Sequence, residues 1–141
     1  MLEFLPSRSL LAALRIIAIV HLAVLAVQPV LAGQIFSGRP GALAFHSTVG
    51  ETVAWFGLLQ ALMALLCWLR NGVSVWFAAA SLVIFGLDGL QVHLGHAKVL
   101  SAHVPLGASL LALSLAMTLS LWRGPYLRGA NETPAGMIGR R

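Results

Sequence analysis

Charged residues, acidic residues and cysteine are all scarce in this chain of 141 residues. Only 9% of its residues are charged, whereas soluble domains carry about 25%, so the chain cannot cover a water-facing surface. This shortage excludes a soluble enzyme and a nucleic-acid-binding module, despite a formal net charge of +5. The single cysteine, Cys67, excludes an intramolecular disulfide and any CxxC metal or haem-attachment motif. We therefore expect an integral membrane protein with one domain.

Long hydrophobic runs make up most of the sequence, which is 59% hydrophobic. A membrane-spanning helix needs about 20 mostly apolar residues, and four segments meet that requirement. These runs are continuous and lack the alternation of a membrane β-barrel, so helices must satisfy the backbone hydrogen bonds. Short connections make successive helices antiparallel neighbours. The sequence predicts an all-α, integral membrane four-helix up-down bundle with helices at Leu10–Ala32, Thr48–Leu69, Val73–Val92 and Leu100–Trp122.

Basic residues are distributed unequally between the two ends of the predicted bundle. Seven arginines lie at the end that holds both termini, whereas only Arg39 and Lys98 lie at the other. Because basic residues concentrate on the cytoplasmic side of a membrane, both termini are expected to be cytoplasmic. The Ala-, Leu-, Gly- and Arg-rich composition is typical of a GC-rich bacterial genome, which indicates a bacterial inner membrane. Residues 1–126 would form the transmembrane domain and residues 127–141 a disordered basic tail.

Polar residues inside apolar helices are costly and therefore mark candidate sites. Asp88 is an ionisable group within the third helix, and we expect a structural pairing with His21 or Arg39. The alternatives are that Asp88 stays protonated or relays protons. His21 is expected to hydrogen-bond a neighbouring helix, and it lies deeper than the other histidines. The remaining four gather at the outer end of the predicted bundle: His46, His93, His96 and His103.

Two of the outer histidines share one motif. His46 precedes Gly50, and His103 precedes Gly107, each by four residues. Residues four apart share a helix face, so each histidine has a bare stretch of backbone one turn deeper. A flat macrocycle ligated by an imidazole needs such a stretch to lie close to the helix.

The two motifs belong to a longer repeat with an offset of 57 residues. Gln34 precedes His46 by the same interval that separates Gln91 from His103. The repeat predicts two tandem helical hairpins, which would place the two histidines at matching depth, facing each other across the bundle. That arrangement suits bis-imidazole haem ligation, in which each neutral ring gives one nitrogen to iron.

The start of the second helix decides whether His46 belongs to it. Thr48 and Glu51 match a capping box, and a helix that begins there would exclude His46. Pro40 offers an earlier start, which would make His46 helical. The HxxxG motif also has a plain packing interpretation, because small residues let membrane helices approach closely.

The segment from Gly89 to Gly95, GLQVHLG, is followed by HVPLG from His103 at the start of the next helix. This pattern resembles the four-helix half-module of haem A synthase, in which histidines on the second and fourth helices flank a haem. The matching histidines here are His46 and His103. That family has two such modules, and it often has Glu and Arg where Leu43 and Ser47 stand here. The resemblance therefore implies a cytochrome b-like bundle and haem binding rather than synthase activity.

The leading hypothesis is a membrane protein that holds one haem b near the outer face and transfers electrons rather than acting as a stand-alone enzyme. A quinone or a second membrane subunit would exchange electrons with it. His46 and His103 would be the axial ligands. The other candidate cofactor-binding residues are Gly50 and Gly107, which would admit the ring, and Gln34, Gln91 and His93, which would support it.

Two alternatives come from other functional classes. The first is a cofactor-free accessory or structural subunit of a larger membrane complex, whose polar residues hold helices together. The second is an outward-facing metal site or a proton or metal transporter that uses His93, His96, His103 and Asp88.

Overall fold

The computed structural model describes residues 7–70 and 72–123, which form four α-helices with short links between them. Each helix is long and apolar enough to cross a membrane. The predicted all-helical, four-helix fold is therefore confirmed within this part of the chain, and the predicted tail at 127–141 lies outside it. The helices are α1 (Ser7–Phe36), α2 (Ala42–Leu69), α3 (Val75–His96) and α4 (Leu100–Arg123).

Helix α2 begins at Ala42, six residues before Thr48. The start is set by Gly41, which follows Pro40 and adopts a left-handed conformation with φ of 79°, a conformation that glycine adopts without steric cost. The capping-box prediction is therefore wrong, and Thr48 lies inside the helix, where its carbonyl accepts a hydrogen bond from the Thr52 hydroxyl at 2.9 Å. The earlier start makes His46 helical.

Each helix packs against its two neighbours in a ring, and the described residues show no close backbone approach between the diagonal pairs α1–α3 and α2–α4. We call the end formed by Phe36, Ala42, His96 and Leu100 the histidine end, and the opposite end the arginine end. At the arginine end, the Arg15 guanidinium donates hydrogen bonds of 2.8 and 3.1 Å to the carbonyl of Leu121. It also lies 4.6 Å from the centre of the Trp122 ring, and these contacts fasten α1 to α4.

Two apolar clusters form the core. One lies towards the arginine end around Leu14, Phe77 and Leu121, and the other contains Leu25 and Leu110 nearer the middle. The outward faces carry many exposed large apolar side chains, as expected for helices in contact with a lipid bilayer. Examples are Ile16, Trp55, Leu62, Val83 and Val104.

The internal repeat is visible in the burial pattern of the helices. Buried positions of α2 and α4 correspond with the predicted offset of 57 residues, whereas those of α1 and α3 correspond with an offset of 63. The first hairpin is therefore six residues longer around its turn. The matching buried pairs are Val53 with Leu110, Gly57 with Ser114 and Ala61 with Thr118, and then Leu14 with Phe77, Ala18 with Ser81 and Leu25 with Asp88.

Candidate functional site

His46 and His103 face each other across the histidine end of the bundle. Each lies in the first turns of its helix, one on α2 and one on the diagonally opposite α4. Their ring centroids are 5.9 Å apart, with an angle of 68° between the ring planes. Both residues are half-buried. The structure thus brings together the two histidines that the repeat placed at matching depth.

The ring of His103 is held in one orientation by α3. Its Nδ1 lies 3.0 Å from the carbonyl oxygen of Gln91, and because a carbonyl only accepts, Nδ1 carries the proton of the neutral ring. A glycine at position 95 makes this approach possible, since a Cβ there would lie 3.0 Å from Cε1 of His103. The remaining nitrogen, Nε2, keeps its lone pair, as in histidines that bind metals.

The ring of His46 is less completely bonded. The backbone of Gln28 faces it, much as the backbone of Gln91 faces His103. Even so, Nδ1 of His46 is buried and has no hydrogen-bond partner among the described residues. A buried nitrogen without a partner is costly.

Two glutamine side chains tie the paired helices of each hairpin together. The Gln28 amide donates to the carbonyl of His46 at 3.3 Å, and the Gln91 amide donates to the carbonyl of His103 at 2.9 Å. Gly107, one turn further along, admits the Gln91 amide, because a Cβ there would lie 2.7 Å from the Gln91 nitrogen. At Gly50 a Cβ would lie 3.7 Å from the Gln28 nitrogen, which is an ordinary van der Waals contact. The glycines of both HxxxG motifs therefore already have a packing partner within the protein.

Gln34 does not take the position that the sequence repeat predicted for it. With the 63-residue offset of α1 and α3, the equivalent of Gln91 is Gln28, which makes the matching hydrogen bond to the neighbouring helix. Gln34 lies half-buried near the end of α1. The sequence has a glutamine at both positions, 28 and 34. Only the relative depth of the helices shows that Gln28 is the equivalent of Gln91.

The proposed outward-facing metal ligands do not converge. His93 is exposed, and His96 lies 3.8 Å from Glu51, with both side chains more than half exposed. Asp88 contacts His21 instead, at 3.2 Å, so one of its two expected pairings is present. Within residues 7–70 and 72–123, no three His, Cys, Asp or Glu side chains are grouped to hold a metal ion.

Comparison with known protein families, curated proteins and solved structures finds no match for this sequence.

Proposed function

We propose that this chain is a membrane protein that binds one haem b between His46 and His103 and transfers electrons. The observation that carries the proposal is the facing pair of imidazoles. Two imidazoles that bind one metal ion through bonds of about 2.0–2.1 Å would have their ring centroids about 6.4 Å apart. The centroids of His46 and His103 are 5.9 Å apart, so the rings would need to separate by about half an ångström to hold an iron between them.

The hydrogen bonding around the pair favours the same role. The Gln91 carbonyl fixes the Nδ1 proton of His103, which leaves Nε2 free to bind iron and makes it a better donor. When bound, the haem would supply one-electron redox chemistry. His46 and His103 would both hold the iron and leave no place on it for a substrate, which favours electron transfer over oxygen chemistry.

The location of the pair determines what partner the protein needs. Both histidines lie at one end of helices that are long enough to cross the bilayer. One redox group near one face does not by itself carry electrons across about 30 Å of hydrocarbon. A quinone or a second membrane subunit would therefore exchange electrons with it. We also propose a bacterial inner membrane as its location, and we propose that both termini are cytoplasmic because arginine is concentrated at the arginine end.

A second candidate function is that of a cofactor-free accessory subunit of a larger membrane complex. The observation that favours it is the seating of the Gln28 and Gln91 amides over Gly50 and Gly107. The Gln91 amide fills the space beside Gly107 without a cofactor, and a macrocycle there would require that amide to turn aside. The histidines would then serve only to pack the helices.

Visible absorption of the detergent-purified protein tests these functions directly. The protein is expressed with haem precursor supplied and measured oxidised and then reduced with dithionite. We expect a Soret band and sharp reduced bands in the unaltered chain, and their loss in His46→Ala and in His103→Ala. The matched control is His96→Ala, a histidine of the same end whose side chain is 59% exposed, which should keep the full spectrum.

The other outcomes decide against haem or against these ligands. A folded, colourless unaltered protein would overturn haem binding and favour the accessory subunit. Full colour in both histidine variants would overturn the ligand assignment. Circular dichroism on each sample separates loss of haem from loss of the helical fold.

A further inference from the structure

A second polar group lies deep in the bundle and is not used by the proposed haem site. His21 on α1, Gln60 on α2 and Asp88 on α3 are 0%, 3% and 1% exposed. His21 Nε2 lies 3.2 Å from Oδ2 of Asp88, and His21 Nδ1 lies 3.0 Å from Oε1 of Gln60. The histidine therefore links the diagonal helices α1 and α3 across the centre of the bundle.

The hydrogen bonding fixes how many protons this group holds. The amide oxygen of Gln60 accepts, so Nδ1 of His21 donates to it and carries a proton. Nε2 then faces a carboxyl oxygen, and two lone pairs at 3.2 Å repel unless a proton lies between them. With one shared proton the pair is neutral overall, either as imidazole with carboxylic acid or as imidazolium with carboxylate. Neutrality is the state that an apolar interior favours.

Neighbouring helices add no other charge to this centre. On α2, Gly57 lies against the Asp88 carboxyl, so closely that a Cβ would overlap it. On α4, the buried residues at this depth are Ser114 and Thr118, which are uncharged. The nearest basic residue of α1, Arg15, lies towards the arginine end and is bonded to α4. His21 is therefore the cationic partner available to Asp88 among the described residues.

The centre also has unused hydrogen-bonding capacity. Oδ1 of Asp88 and Oγ of Ser114 are buried without a hydrogen-bond partner among the described residues, and the 3.2 Å contact between His21 Nε2 and Asp88 Oδ2 is close but not in hydrogen-bond geometry. If His21 and Asp88 only held helices together, apolar side chains of similar volume would do so equally well, because such side chains often stabilise a buried position more than an ion pair does. Buried ionisable residues in a membrane helix instead mark ion or proton binding.

We propose that His21 and Asp88 form a proton-binding site in the middle of the bundle, in which one exchangeable proton is shared between Nε2 of His21 and Oδ2 of Asp88. Gln60 orients the histidine, and Gly57 leaves room for the carboxyl group. Release of the proton leaves the pair with a charge of −1, and uptake of a second proton gives +1. This inference does not depend on haem binding at His46 and His103.

The test uses the fact that Asp88 is the only aspartate in the chain. Aspartate labelled with ¹³C at the side-chain carboxyl gives one resonance, and ¹⁵N-labelled histidine gives ring signals, of which His21 is identified by its loss in His21→Gln. The full chain is titrated in detergent from about pH 3 to 9, a range that brackets the ordinary pKa values of Asp and His. The labelled Asp88 resonance disappears in Asp88→Asn, which confirms its assignment.

We expect the Asp88 and His21 resonances to move together with one midpoint, because strongly interacting groups titrate as a pair. In His21→Gln, the Asp88 resonance should lose that transition, whereas the control His93→Gln should keep it. Resonances that stay constant while circular dichroism shows a folded protein would overturn the proposal and leave a structural tie. A transition driven by added sodium at constant pH would also overturn it, in favour of a cation site.

Discussion

Glycine residues in this bundle differ in what faces them. Gly57 lies against the buried carboxyl group of Asp88, whereas Gly86 on α3 has no atom within 4 Å of the position that a Cβ would take. The same substitution to alanine therefore has opposite consequences at the two sites. At Gly57 the added methyl group must displace a short, buried side chain, and at Gly86 it enters open space.

We expect Gly57→Ala to lower the free energy of unfolding. Overpacking in a core costs about 1–3 kcal/mol, and alanine returns only up to about 1 kcal/mol through its higher helix propensity. The matched control, Gly86→Ala, gains the propensity without the clash and should unfold at the same or a higher temperature. Thermal unfolding in detergent, followed by circular dichroism, measures both. Equal shifts in the two variants would show that Gly57 is not in close contact with Asp88.

At this scale the sequence predicted which side chains matter better than it predicted their contacts. The isolated acidic residue, Asp88, was expected to pair with His21 or Arg39, and the structure shows His21. The role of Gln60 was not predicted, because its contact with His21 depends on how α1 and α2 are rotated about their axes. Hydrophobic periodicity alone does not determine that rotation when all faces of a helix are apolar.

Helices are predicted well in number and less well at their ends. All four apolar runs form helices, yet α2 starts at Ala42 rather than Thr48, and α3 continues to His96 rather than Val92. A capping pattern such as that of Thr48 and Glu51 also occurs inside helices, where the backbone is already bonded. The local chain direction set by Pro40 and Gly41 determined the start instead.

The offset between α1 and α3 leads to a prediction about three glutamines. The side chains of Gln28 and Gln91 each donate a hydrogen bond to a backbone carbonyl of the neighbouring helix. Among the described residues, the side chain of Gln34 has no such hydrogen bond. We expect Gln28→Leu and Gln91→Leu to lower the free energy of unfolding by about 0.5–1.5 kcal/mol each, the net value of one hydrogen bond. Gln34→Leu is the matched control and should leave stability unchanged.

Chemical unfolding in a denaturing detergent provides the comparison. Because His103 bonds the backbone carbonyl of Gln91 and not its side chain, Gln91→Leu should keep the orientation of the His103 ring. A large loss of stability in Gln34→Leu, with none in Gln28→Leu, would restore the 57-residue offset for α1 and α3.

For the molecule as a whole, the two hairpins are alike at the histidine end and unlike in the centre. His46 and His103 are equivalent by the offset of α2 and α4, and so are the glutamines that bond their carbonyls. The central pair has no such counterpart, because the positions equivalent to His21 and Asp88 are Ile84 and Leu25. The repeat thus explains why His46 and His103 form a symmetric pair between the hairpins. His21 and Asp88, the proposed proton-binding pair, depart from the repeat.

The distribution of basic residues predicts which end of the molecule faces the cytoplasm. Arg39 and Lys98 lie in the two links of the histidine end, and Ser9 is exposed near the start of α1 at the arginine end. The only natural cysteine, Cys67, is 1% exposed and should not react. Single cysteines at these three positions therefore report orientation in an otherwise natural chain.

In intact spheroplasts, we expect a membrane-impermeant maleimide to label Arg39→Cys and Lys98→Cys, and to label Ser9→Cys only after the membrane is opened. We expect this pattern because basic residues concentrate on the cytoplasmic side of a membrane, and the arginine end carries most of them. The histidine end, and any electron partner of His46 and His103, would then face the outside. The reverse labelling pattern would place that end in the cytoplasm, and labelling of all three in intact cells would contradict a four-span topology.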